Sequence, residues 1–345
     1  MAEWLHEAQY SLVLFTVLMQ VAIGALWVLA AADLQEAQSP DPDRARLTRL
    51  GSAILLPVAA VGMLFSTTHL GRPMLAMRAL RHWETSWMSR EIWMTGLFFG
   101  LIALYTLLWW WRPEVGKARR AVGVMGALAG AATILSQAMI YMIPGRPMWN
   151  HWSTLALFFG SALMLGPLAV ASVQELGGAA RGGRAKADQR PGAGREQRPD
   201  AGTGRRIMAG GAPEVAHRHL ALTLLAAVAV YGIGLAGRLR YLADGAAAAL
   251  ATPGAAGKAA VGSETVRTAL LLGQQVVAAN GVLLGLEVAL AIGVPAALAA
   301  VLWLTQRRGG GSGPRRGLLG AGLALTLVGH LAGRALFYLS GQPWF

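Results

Sequence analysis

The sequence has no cysteine. That excludes disulfides, zinc–thiolate sites, c-type haem attachment and cysteine-ligated iron–sulfur clusters. Charge is also scarce: 14% of the 345 residues are charged, against about 25% in soluble domains. Acidic residues are the scarcer sign, with 17 Asp and Glu against 30 Lys and Arg and a net charge of +13. Histidine occurs seven times, at 6, 69, 82, 151, 217, 219 and 330. A b-type haem needs two facing histidines inside a bundle, and only His330 is clearly intramembrane. His69 with His330 leaves room for one haem at most, and the protein is read as haem-free. What is abundant is hydrophobic residues, at 55%. The composition is that of an integral membrane protein.

A helix crosses the hydrocarbon core in about 20 residues. On that ruler the apolar stretches predict eight spans, near 9–32, 49–70, 91–111, 121–142, 152–174, 218–237, 280–304 and 317–339. Trp and Tyr crowd their ends, as expected of headgroup-level belts. The helical pattern from Glu264 to Gln306 is too long for one crossing and contains Gly281 and Pro295 as breaks. Residues 264–279 are read as an interfacial or packed helix, with a ninth span as the alternative. The segment 177–214 is rich in Gly, Arg and Ala and cannot bury enough surface to order itself. It divides a five-span half (1–176) from a three-span half (215–345), and 243–262 reads as a second flexible connection.

The basic residues track the spans rather than a groove-binding face, which excludes nucleic acid as a partner. Of the 30 Lys and Arg, 20 fall in loops one, three, five and seven. The positive-inside rule puts those loops in the cytoplasm. The fold class is therefore an all-α membrane bundle of about eight transmembrane helices with both termini outside. The N-terminus carries Glu3 and Glu7 where a signal peptide needs positive charge.

Ionisable residues at the edge of hydrocarbon are costly and mark candidate sites. His69 ends span two and Glu91 opens span three, so a short hairpin sets them face to face. A histidine can accept a proton from a hydroxyl and a nearby carboxylate can relay it to water. The plain structural alternative is that His69 ends its helix and Glu91 pairs with Arg72 or Arg90. Gly71-Arg72-Pro73-Met74 recurs as Gly145-Arg146-Pro147-Met148, flanked by Tyr141, Trp149, Asn150 and His151. The two loops are expected to line one surface. There Arg72 and Arg146 suit a phosphate, a quinone carbonyl or a docked subunit. In the last span His330 and Arg334 share a helix face. Arg334 lies near the outer end, where it can snorkel or tie span eight to its neighbours. Glu287 can relay protons or pair with Gln137.

These pieces resemble a known family. His6-Glu7 with Ser11-Leu12-Val13-Leu14-Phe15-Thr16, Ser66-Thr67-Thr68-His69-Leu70-Gly71-Arg72-Pro73, Ser89-Arg90-Glu91-Ile92, and Gly333-Arg334 with Phe337-Tyr338 are similar to motifs of the DmsC-type membrane anchor of dimethyl sulfoxide reductase. The resemblance implies a haem-free protein that binds menaquinol. It also implies partners: a molybdopterin catalytic subunit and a four-cluster, ferredoxin-like iron–sulfur subunit. The family's quinol-site histidine and glutamate fall on His69 and Glu91. Residues 177–316 carry no matching motif. The reading is a menaquinol-oxidising anchor of a respiratory molybdoenzyme in the cytoplasmic membrane. His69 and Glu91 are its catalytic pair, and Arg72, Tyr141, Arg146, Trp149, His330 and Arg334 are further quinol-binding candidates. The alternatives are a polysulfide-reductase-type anchor, a secondary transporter, and a structural anchor without a quinone site.

Overall fold

The computed structural model describes residues 10–68, 76–188, 211–251, 258–307 and 317–341. These are helical apart from short connections. We number the helices α1 Tyr10–Gln38, α2 Pro42–Thr68, α3 Trp87–Trp111, α4 Gly116–Tyr141, α5 Ser153–Asp188, α6 Gly211–Ala251 and α7 Lys258–Ala279. Helix α8 comprises Gly281–Leu286, a π-helical stretch Glu287–Gly293, and Val294–Arg307; α9 is Leu318–Ser340. Before α3 the backbone makes a helical turn at Ala76–Ala79 and a 3-10 turn at Leu80–His82.

Eight helices among the described residues are long and apolar enough to cross a membrane, all except α7. Their bounds agree closely with the expected spans. The packed-helix reading of 264–279 also holds: α7 lies against α6 and α9. Two differences stand out. Helix α6 is 41 residues long, against the roughly 20 needed for a crossing. It runs through the Ala-rich start of the expected flexible connection because alanine is the strongest helix former. Of the segment 177–214 read as disordered, residues up to Asp188 and from Gly211 are helical, and 189–210 lie outside the described residues.

Helices α1 and α5 form the interior, each with 72% of its span buried. They cross at glycines. A Cβ on Gly24 would overlap the Ala162 carbonyl, and one on Gly166 would overlap the Gly24 backbone. In lipid, small residues allow such close approach, and dispersion then drives association. Against this pair pack α2, α4 and α6, with α9 closing the core beside α5 and α8.

One end of the bundle is locked by charge. Arg119 at the start of α4 donates to both oxygens of Asp33 near the end of α1, each at 2.9 Å. Its guanidinium also lies 3.5 Å from the Trp109 ring centroid. The candidate site occupies the opposite end.

Candidate functional site within the membrane bundle

The entry to α3 decides where Glu91 points. Ser86 caps the helix by accepting from the Ser89 N–H, and the Ser89 hydroxyl donates to the Ala79 carbonyl. Arg90 donates to the Trp83 and Glu84 carbonyls at 2.9 and 2.6 Å and lies over the Trp87 ring. It therefore fastens the preceding turn and does not pair with Glu91, which corrects that arm of the expected alternative; Arg72, the other arm, lies outside the described residues. Helix periodicity puts Glu91 on the face of Thr95, Phe98 and Ile102, all three buried. Half-buried Glu91 meets Gln137 from α4. Gln137 is fully buried, yet neither of its amide atoms makes a hydrogen bond of good geometry.

Next to this pair stands an aromatic and hydroxyl cluster. The Tyr141 and Tyr338 hydroxyls are 2.9 Å apart, joining α4 to α9. Glu91 is close enough to act on both electrostatically. The Trp149 indole donates to the Phe337 carbonyl at 2.7 Å, and the two rings stack with centroids 5.4 Å apart. Arg146 donates to the Gly341 carbonyl at 2.5 Å. It satisfies an orphan carbonyl at the end of α9. The second copy of the Gly-Arg-Pro-Met echo thus closes the last helix instead of presenting a free arginine.

Arg334 does not snorkel. It is 5% exposed, donates to Gln20 of α1 at 3.1 Å and lies 3.7 Å over the Phe158 ring. Interior packing on α1 and α5 supplies partners that water supplies to a snorkelling arginine. His330, one turn deeper, meets Ser161 through Nδ1 at 3.2 Å. Glu287 pairs with the Tyr231 hydroxyl at 2.8 Å and not with Gln137, another correction. Gln137 is instead Glu91's neighbour because α4, not α8, packs on α3.

Of the expected site residues, Glu91, Tyr141, Arg146, Trp149 and Arg334 gather around the end of α9, and His330 lies below them. His69 and Arg72 lie outside the described residues. The reading of the sequence assigned no site role to Gln20 and named Tyr338 only within the terminal-span motif. Tyr338 was legible as the third residue of a four-residue spacing with His330 and Arg334; Gln20 had no local signal. An apolar groove of about 730 Å³, lined by Leu80, Trp83, Ile92, Trp93, Met94, Gly96 and Leu97, lies on the other face of α3. Its rings sit at the span's end, where an aromatic belt belongs.

The architecture and this cluster define a multi-pass helical membrane protein with polar groups buried near one end of its bundle. A family model described as DMSO reductase anchor subunit (DmsC) matches residues 1–181, and the protein belongs to that family. It is 33% identical over 172 residues to the YnfH protein of the Escherichia coli anaerobic dimethyl sulfoxide reductase, a match covering 49% of this sequence and 57% of that protein. The C component of the Allochromatium vinosum sulfite dehydrogenase is 30% identical over 172 residues, covering 46% and 53%. The C component of the Haemophilus influenzae anaerobic dimethyl sulfoxide reductase is 30% identical over 159 residues, covering 45% and 54%. The matches thus span about half the length of these curated relatives. Glu91, Tyr141, Arg146 and Trp149 fall inside the family match; Glu287, His330, Arg334 and Tyr338 fall beyond it.

Proposed function

We propose that this protein is the membrane anchor and menaquinol-oxidising subunit of a respiratory molybdoenzyme in the cytoplasmic membrane. The observation that carries the reading is Glu91. It is a carboxyl one turn inside a span, held beside a buried amide and a tyrosine pair, with no basic residue paired to it among the described residues. A quinol delivers two electrons and two protons, and its head group is polar while its tail is lipid-soluble. A carboxyl at the border of hydrocarbon and water suits proton removal from such a head group.

In this reading His69 accepts the two hydroxyl protons in turn and Glu91 passes each to water. Tyr141, Trp149 and Arg334 shape the head-group surroundings, and Arg72 and Arg146 shape the outer surface. The electrons pass to the nearest cluster of a docked ferredoxin-like iron–sulfur subunit, and from there to a molybdopterin subunit. The orientation from basic loops places this end outside.

The test is oxidation of a menaquinol analogue by the native complex, comparing wild type with His69→Ala at matched assembly. Loss of turnover with full activity toward an artificial donor is the expected result. Unchanged turnover moves the site away from the α2–α3 hairpin. The relative named as part of a sulfite dehydrogenase supports a second reading, in which electrons enter from a sulfur-oxidising partner and the same site reduces quinone. Assaying both directions decides between them.

A further inference from the structure

Beyond the family match, a second buried acid is built with care. Pro295 has no N–H to donate, and its ring crowds the carbonyl four residues back. Helix α8 meets this by widening into π turns over Glu287–Gly293, with the Val294 N–H reaching the Ala289 carbonyl. Such π segments recur at functional sites. Here the widened turn seats the Glu287 carboxyl on Gly333 of α9, where any Cβ would collide with it.

Glu287 is 1% exposed. One oxygen accepts from Tyr231 at 2.8 Å; the other has no partner. His330 is 2% exposed, bonds Ser161 through Nδ1, and has no partner at Nε2. Its ring stands edge-on to Tyr231, with centroids 4.7 Å apart. An uncommitted carboxylate oxygen and an uncommitted imidazole nitrogen thus flank one tyrosine. Two cations face this cluster, Arg238 from α6 and Arg334 from α9. Each is hydrogen-bonded elsewhere, Arg238 to Ser340 and Arg334 to Gln20. A structural ion pair in this protein looks different: Arg119 grips both oxygens of Asp33.

We propose that Glu287, with Tyr231 and His330, is an internal proton-binding site of the C-terminal half, coupled to the quinol site. The coupling rests on the function proposed above; the proton binding does not. The link is α9, on which Thr326, His330, Arg334 and Tyr338 recur at every fourth position and are all buried. His330 and Tyr338 are about 12 Å apart along the axis at 1.5 Å per residue. Tyr338 reaches Tyr141 beside Glu91, so a proton gained or lost at either carboxyl alters the field at the other.

The proton binding is tested by infrared difference spectroscopy of the full-length protein in lipid nanodiscs through pH steps, with no quinol present. A deuterium-sensitive carboxyl band is expected in Glu91→Gln and is expected to vanish when Glu287→Gln is added to that background; the same band in both proteins overturns the site. Should Glu287→Gln fail to fold, Tyr231→Phe removes the carboxyl's hydrogen bond and is expected to shift the band, and an unshifted band overturns the site equally. Coupling is tested in the native complex with a menaquinol analogue. Glu287→Gln is expected to lower kcat by about tenfold, less than the roughly 100-fold or more lost with a group that transfers the proton itself, with KM and the artificial-donor rate unchanged and Glu287→Asp recovering activity. An unchanged kcat overturns the coupling. A wild-type complex that does not oxidise the analogue overturns the quinol reading alone, because the carboxyl band is read without it.

Discussion

Tyr141 and Tyr338 meet hydroxyl to hydroxyl at 2.9 Å across 197 residues of sequence. The contact joins the family-matched half of the protein to its last helix, within reach of Glu91. Tyr141 also packs edge-on against Trp149 and Phe337. Tyr141→Phe keeps those ring contacts and removes one hydrogen bond, worth about 1 kcal/mol net. The expected outcome is a small drop in thermal stability in detergent and a larger fractional loss of quinol turnover. A drop in stability with turnover intact would make the pair purely structural.

Glu91 gives a sharper prediction. Arg90 is committed to the turn before α3, so Glu91→Gln breaks no ion pair among the described residues and changes little in shape. Removing a proton-transfer group typically costs about 100-fold or more in rate. Glu91→Gln in the native complex is therefore expected to abolish most menaquinol-analogue oxidation while assembly and artificial-donor activity persist. Arg90→Ala is expected to do the reverse, loosening the α3 entry and lowering assembly. Equal turnover by Glu91→Gln and wild type would remove the carboxyl from the mechanism.

The Arg119–Asp33 pair, 6% and 0% exposed at the side chain, anchors the other end of the bundle. Taking away one partner of a buried pair leaves an uncompensated charge, at a cost of roughly 3–5 kcal/mol. Asp33→Ala is expected to destabilise by about that amount in denaturant-induced unfolding. The double variant Asp33→Leu with Arg119→Met is expected to recover most of the loss. Quinol turnover per folded molecule is expected to stay near wild type, since the pair lies at the end remote from Glu91.

The spans and the border position of Glu91 were legible because hydrophobic length and isolated charge are local signals. The α9 stripe was partly legible, since His330 and Arg334 show a four-residue spacing that continues to Thr326 and Tyr338. Partner choice was not. Asp33 and Arg119 read as ordinary charges beside the membrane, 86 positions apart, until the packing of α1 on α4 joins them. Gln20 and Gln137 sit in apolar runs without any pattern around them. Their roles follow from which helices touch. Pro295 announced a break in α8 but not its form, and the π turn that carries Glu287 follows from how α8 packs on Gly329 and Gly333.

His151 provides a pH-dependent prediction outside the spans. Its Nδ1 lies 2.8 Å from the Ser153 hydroxyl, and its ring stacks on Tyr241 with centroids 4.4 Å apart. Partial burial holds the imidazole below its usual value of 6.5. A depressed value means that the undocked ring binds protons more readily than the docked one. The stabilising contribution is therefore complete above pH 6.5 and is lost as pH falls through the folded value. Acidification should loosen the start of α5 against α6, read as lower amide protection around Ser153 and Thr154 than at neutral pH once exchange is corrected for its intrinsic slowing in acid. His151→Phe keeps a flat ring for Tyr241 and cannot be protonated, so its protection at these amides should change less with acid than wild type does. The same acid sensitivity in both proteins would place the titrating group elsewhere.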